Sequence, residues 1–181
     1  MKDIAIGFFS FVLSILLQIL IFNQISLLGY GCIFFHLIFV LISPLRFKTI
    51  PLMLMAFAMG LTVDVFSNSY GIHAFSLTLV SAIRGGIINL FFSKEDTEYH
   101  PNLFVGLSAD YYKYAISMIF IYSLSVFALE AFDVRFVLNI LQKTLVSTIA
   151  TTIVVLFGQS VVFKKYKTPL LLMYCLYMLI H

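Results

Sequence analysis

The stretch Ile50–Phe92, IPLMLMAFAMGLTVDVF followed by SNSYG and IHAFSLTLVSAIRGGIINLFF, decides the fold. Its two apolar runs are 17 and 21 residues long, the length at which a helix rising about 1.5 Å per residue crosses the hydrocarbon of a bilayer. Between them Ser67–Gly71 supplies Asn, Ser and Gly, residues that accept turn conformations, so the chain crosses, turns tightly and crosses back. Working outward, four more apolar windows appear, Ile4–Phe22, Leu27–Ile42, Tyr111–Leu129 and Phe136–Phe163. The reading is an all-α integral membrane protein: residues 1–167 form one domain, a six-transmembrane-helix bundle, with an apolar interfacial tail at 168–181.

Composition agrees. Of 181 residues, 62% are hydrophobic and 10% charged, against roughly 25% charged in a soluble domain. Eight acidic and eleven basic side chains cannot cover a body of this size in water, which excludes a soluble globule. The second window is the shortest, at 16 residues, contains His36 and stops at Ser43-Pro44; the sixth, at 28 residues, is long enough to tilt. Leu170–Ile180 is too short to cross and is expected in the cytoplasmic interface. No small-residue cleavage site follows the first run, so it is expected to stay as the first crossing. Cys32 and Cys175 have neither disulfide-framework nor metal-site spacing.

Orientation follows from the basic residues. With a cytoplasmic amino terminus, Lys2, Arg46, Lys48, Lys94, Lys113, Lys164, Lys165 and Lys167 all fall inside, and Arg135 alone falls outside. Both ends of the six-span core are then cytoplasmic, and the charged run Ser93–Asp110 is a solvated inner loop. Tyr30, Tyr70, Tyr111, Tyr112 and Tyr166 fall near span ends, at headgroup level.

An ionisable side chain at mid-bilayer costs about 2.5–3.5 kcal/mol on the insertion scale, so each one needs a reason. The candidates are Asp64, His73, Arg84 and Lys143, with His36 as a fifth. Gly60 and Asp64 stand one turn apart on one helix face, where a glycine lets another backbone approach; Asp64 is expected to bond the following turn. His73, Val80 and Arg84 share a face of the next helix, with His73 roughly 16 Å from Arg84. Arg84 is expected to snorkel toward the cytoplasm, with a helix-packing hydrogen bond or an anion contact as alternatives, and His73 to cap the outer turn rather than carry a proton. In the last window, Thr144, Thr148 and Thr152 form one row and Lys143, Ser147 and Thr151 the next, a surface expected to pack within protein. Gln18, an amide in the first window, needs an interhelical partner.

No GxSxG, HExxH or phosphate-binding GxxxxGK occurs, and the four histidines lack ligand spacing, so no catalytic, cofactor or metal residue is expected and nucleic-acid binding has no support. One resemblance does emerge. Met59-Gly60-Leu61-Thr62-Val63-Asp64-Val65-Phe66-Ser67-Asn68-Ser69-Tyr70-Gly71-Ile72-His73-Ala74 resembles the signature of MreD, the bacterial rod shape-determining membrane protein, and Ser14-Ile15-Leu16-Leu17-Gln18 is similar to the family's first helix. The apolar Leu170–Ile180 departs from the family's short polar ending.

The resemblance implies a fold similar to the substrate-binding subunits of energy-coupling-factor vitamin transporters, and a place in the cytoplasmic membrane beside the bitopic MreC. It also implies the company of the actin-like MreB, the glycosyltransferase RodA and its transpeptidase partner. On that basis the leading expectation is a non-enzymatic scaffold that binds MreC and helps to control lateral peptidoglycan synthesis and rod shape, through Gln18, Gly60, Asp64, Gly71 and His73. Competing expectations are a small-ligand or lipid-binding protein or transporter subunit with a pocket near Asp64, His73 and Arg84, and a proton-coupled carrier using Asp64, Arg84 and Lys143; membrane lipid and a second copy of the chain stay open as partners.

Overall fold

A computed structural model describes residues 2–24, 31–43, 48–92, 109–131 and 137–165, and these are nearly all helical. Helix α1 spans Lys2–Leu20, with a short 3-10 turn at Phe22–Gln24; α2 is the brief Ile38–Ile42, entered through a 3-10 turn at Phe35–Leu37. Then come α3 (Thr49–Ser67), α4 (Ile72–Phe91), α5 (Ala109–Ala131) and α6 (Val137–Lys165). Helices α3, α4, α5 and the Val137–Gly158 part of α6 are each long and apolar enough to cross a membrane, and Phe11–Leu20 of α1 is a shorter apolar helix. The expected inner loop from Ser93 to Ser108, Arg46, Arg135 and the tail at 168–181 lie outside the described residues.

Neighbours in sequence are neighbours in space: α3 packs along α4, α4 along α5 and α5 along α6, while α1 lies against α3 and the Phe35–Leu37 turn. Each long helix is sorted by face. Along α3, Ile50, Leu54, Phe57, Leu61 and Val65 recur at helical spacing and are all exposed, whereas Leu52, Ala56, Met59, Gly60 and Val63 are buried. On α6 the exposed row is Leu138, Leu141, Leu145, Ile149, Ile153 and Phe157, and the buried one is Thr144, Ser147, Thr148, Thr151 and Val155. Large apolar residues outside and hydroxyls inside reverse the pattern of a water-soluble bundle, as lipid contact requires. Helix α5 turns Tyr111, Tyr114, Met118, Tyr122 and Val126 inward.

Two sequence expectations change. The window Leu27–Ile42 is not a continuous helix: 32–34 are irregular, 35–37 form the 3-10 turn, and only Ile38–Ile42 is α-helical, while 25–30 lie outside the described residues. Tyr111, expected at headgroup level, is fully buried against the neighbouring helices. Tyr70 is 98% exposed at the tip of the α3–α4 turn.

Candidate functional site

The polar groups that need a reason to be inside gather in four places. The first is the α3–α4 turn. Helix α3 ends where Asn68 takes a left-handed conformation (φ 54°) and returns its N–H to the Asp64 carbonyl. Helix α4 begins after Gly71 (φ 92°), which has no side chain to cap it. Asp64 supplies the missing cap from the preceding helix. Its Oδ1 accepts the His73 N–H at 2.9 Å and the Ser69 hydroxyl at 2.6 Å, and its Oδ2 accepts the Ala74 N–H at 2.8 Å. A carboxylate here also faces the positive end of the α4 dipole.

Gly60 makes that reach feasible. A Cβ at Gly60 would lie 2.5 Å from the Ala74 Cα and 2.7 Å from the His73 carbonyl oxygen, both backbone atoms, so only glycine lets α4 come this close. The spacing of Gly60 and Asp64 read from the sequence therefore works within the chain: one residue admits the start of α4 and the other caps it.

The second place is the irregular segment Cys32–Phe34. Its backbone lacks a helical ladder, and side chains of other helices replace it. The Cys32 N–H donates to Ser147 Oγ at 2.9 Å, the Phe34 N–H to Thr151 Oγ1 at 3.1 Å and the His36 N–H to Gln18 Oε1 at 3.3 Å. Gln18 Nε2 in turn donates to the Ile33 carbonyl at 3.0 Å. Non-helical backbone at membrane depth survives only where protein satisfies it, which is the physical reason the apolar window did not have to be a helix. The partner that Gln18 needed is this segment rather than a helix, and the Ser147–Thr151 row packs against it as a row of acceptors.

The third place is aromatic. His36 Nε2 and His73 Nδ1 share the Tyr122 hydroxyl at 2.7 and 2.8 Å, with Phe34 against all three rings. His73 thus has two attachments, its backbone N–H capped by Asp64 and its ring held by Tyr122, so it is a capped residue of the α3–α4 turn rather than the cap. At the other end of α4, Arg84 is 3% exposed and does not snorkel: its Nε donates to Tyr114 Oη at 3.0 Å and its Nη2 to the Ser43 carbonyl. A guanidinium presents five donors in a fixed fork, and here buried protein acceptors take up part of that set. Lys143 is half-buried, its ammonium 5.7 Å from the centre of the Phe127 ring.

The candidate residues are therefore only partly brought together. Asp64, Gly60 and His73 meet; Gln18 joins them through the irregular segment and His36; Gly71 is half-buried in the turn. Arg84 bonds Tyr114 and Ser43, whereas Asp64 and His73 meet at the α3–α4 turn. Tyr122 and Tyr114 were missed from the sequence. The available signal was the spacing of Tyr111, Tyr114 and Tyr122, which places all three on one helix face. No group of three or more His, Cys, Asp or Glu that could hold a metal occurs among the described residues.

Fold and site together define a helical membrane protein whose polar side chains are spent on its own interior. Compared with protein-family models, with curated proteins and with solved structures, the chain matches none.

Proposed function

We propose that the chain is an MreD-like scaffold of the bacterial elongation machinery, which holds the transmembrane helix of MreC and through it influences where lateral wall synthesis proceeds. In this reading α1 and the irregular segment with α2 provide the first two of six crossings, both ends of the core face the cytoplasm, and the bundle is similar to the substrate-binding subunits of energy-coupling-factor transporters. MreB, RodA and its transpeptidase partner act beside it, and catalysis belongs to them.

The observation that carries this reading is an open helix face. Ala82, Gly85, Gly86 and Asn89 are exposed on α4, and a Cβ at Gly85 or Gly86 would meet nothing within 4 Å. Ala82 and Gly86 are one turn apart, as are Gly85 and Asn89, and such small-residue spacing admits a second helix at close range in lipid. Gln18, Gly60, Asp64 and His73, being engaged inside the chain, then shape the bundle rather than touch the partner, and Gly71 shapes the turn.

The test is Gly86→Leu. Leucine at this site fills open space, so the bundle stays folded, while co-purified MreC falls at least tenfold, equivalent to about 1.4 kcal/mol. MreC retained at the wild-type level by a folded Gly86→Leu variant refutes the reading.

A further inference from the structure

His36 and Tyr122 are fully buried and His73 is 9% exposed, and the two imidazole centroids lie 5.8 Å apart on either side of the Tyr122 hydroxyl. A phenol has one hydrogen to give and lone pairs with which to accept. Tyr122 therefore donates to one imidazole and accepts from the other, which gives two arrangements of opposite direction. A second observation is independent of this one. His36 Nδ1, at the far end of the chain of bonds, is buried without a hydrogen-bond partner among the described residues, as are the hydroxyls of Ser76, one turn beyond His73, and Ser123, next to Tyr122. Buried polar atoms in native proteins are nearly always hydrogen-bonded, so an unpaired one calls for an explanation.

We propose that His36, Tyr122 and His73 form a binding site for a single excess proton, which the phenol relays between the two imidazoles. Take the arrangement in which His73 Nδ1–H donates to Tyr122 and Tyr122 donates to His36 Nε2. A proton that adds to the lone pair of His73 Nε2 makes that ring an imidazolium. Its Nδ1 proton then passes to the phenol oxygen as the phenol's own proton passes to His36 Nε2, and the charge ends on His36. One proton is added to the three rings, and no bond between heavy atoms changes.

A second proton has no place. Both imidazoles would then present N–H groups to the same oxygen, and the phenol's hydrogen would lose its acceptor, since among the described residues Tyr122 Oη bonds only these two rings. Two cations at this separation also repel.

The groups that face the three rings come from every element packed against them. From α3, the Asp64 carboxylate bonds the His73 backbone, and the irregular segment places Phe34 against all three rings. Helix α1 brings the uncharged Gln18 to the same segment; α6 brings Ser147 and Thr151, and its Lys143 stands over Phe127. Because His36 lies in the 3-10 turn that follows the irregular segment and His73 on α4, the site couples a proton to the joint between them.

The test is histidine-selective 15N NMR of the full chain in lipid nanodiscs across a pH series, with His36→Gln and His73→Gln assigning the signals. In the wild type the two imidazoles take up one proton between them and their signals move in concert. In Tyr122→Phe, which keeps the ring and removes the relay, the concerted movement is lost and each ring titrates alone. Two neutral imidazoles down to the pH of unfolding, uptake of two protons by the wild type, or concerted uptake surviving in a folded Tyr122→Phe variant overturns the proposal. If that variant does not fold, the wild-type proton count decides alone: one supports the relay, and zero or two refutes it.

Discussion

Gly60 and Asp64 should behave as one device, and a double-mutant cycle measures it. In Gly60→Ala the new methyl starts 2.5 Å from the Ala74 Cα, whereas carbon contacts settle near about 3.5 Å, so the first turn of α4 must retreat by roughly 1 Å. The caps from Asp64 to the His73 and Ala74 N–H groups, now 2.9 and 2.8 Å, would then open to about 3.8 Å, beyond hydrogen-bond range. Overpacking of about 1–3 kcal/mol plus most of a cap's worth gives about 3 kcal/mol for Gly60→Ala. Asp64→Asn turns one acceptor into a donor facing an N–H and removes the charge, at about 2 kcal/mol. Independent sites would give a double variant near the sum, about 5 kcal/mol. Because Gly60→Ala has already pulled the caps apart, Asp64→Asn should add less than about 1 kcal/mol in that background, a coupling of about 1–2 kcal/mol. Reversible unfolding in mixed micelles, followed by far-ultraviolet circular dichroism, reads all four proteins. Additivity to within about 0.5 kcal/mol, or a Gly60→Ala protein as stable as the wild type, refutes the reasoning.

The irregular segment and the arginine cluster yield two more expectations. Thr151→Val keeps the shape and removes the acceptor for the Phe34 N–H; it should cost about 1–3 kcal/mol and raise amide hydrogen exchange at Phe34 more than at Cys32, whose N–H rests on Ser147. Equal change at both amides would mean that the two anchors are not separate. Tyr114→Phe deprives Arg84 Nε of its acceptor and should lower the unfolding free energy by about 1–3 kcal/mol. An unchanged stability would show that Tyr114 does not hold the guanidinium.

The long crossings were legible because hydropathy measures transfer into lipid, and transfer is what α3, α4, α5 and α6 display on their outer rows. Gly60 and Asp64 were legible for a different reason: a glycine and a carboxylate one turn apart before a polar turn have few uses inside a bilayer, and both are used here as that spacing suggests. The irregular course of Cys32–Phe34 was not legible. Hydropathy sums side chains and is blind to where backbone N–H groups find partners, and here the partners sit 115 and 117 residues away in sequence, on Ser147 and Thr151. Tyr122 was passed over because tyrosine suits both a lipid interface and a protein interior, and only the arrival of two histidine rings from different elements decides between them.

The hydroxyl rows show why a polar helix face cannot by itself name its partner. A serine or threonine inside a helix can give its hydrogen to the carbonyl one turn back, as Thr62 does to Ala58, Thr78 to Ala74, Ser81 to Leu77 and Thr148 to Thr144. Such a residue is satisfied within its own helix and makes no demand on a neighbour. The same hydroxyl still has lone pairs to offer, and Ser147 and Thr151 offer theirs to a backbone with no ladder of its own. Donor supply is therefore local while acceptor capacity is free, so a hydroxyl row in lipid attracts unpaired N–H groups more than it attracts another hydroxyl row. Unwound backbone carries such groups in greatest density. It follows that the α6 row and the irregular segment require each other: a regular helix at 31–43 would leave Ser147 and Thr151 without their present donors, and an apolar α6 would leave Cys32 and Phe34 unpaired in hydrocarbon.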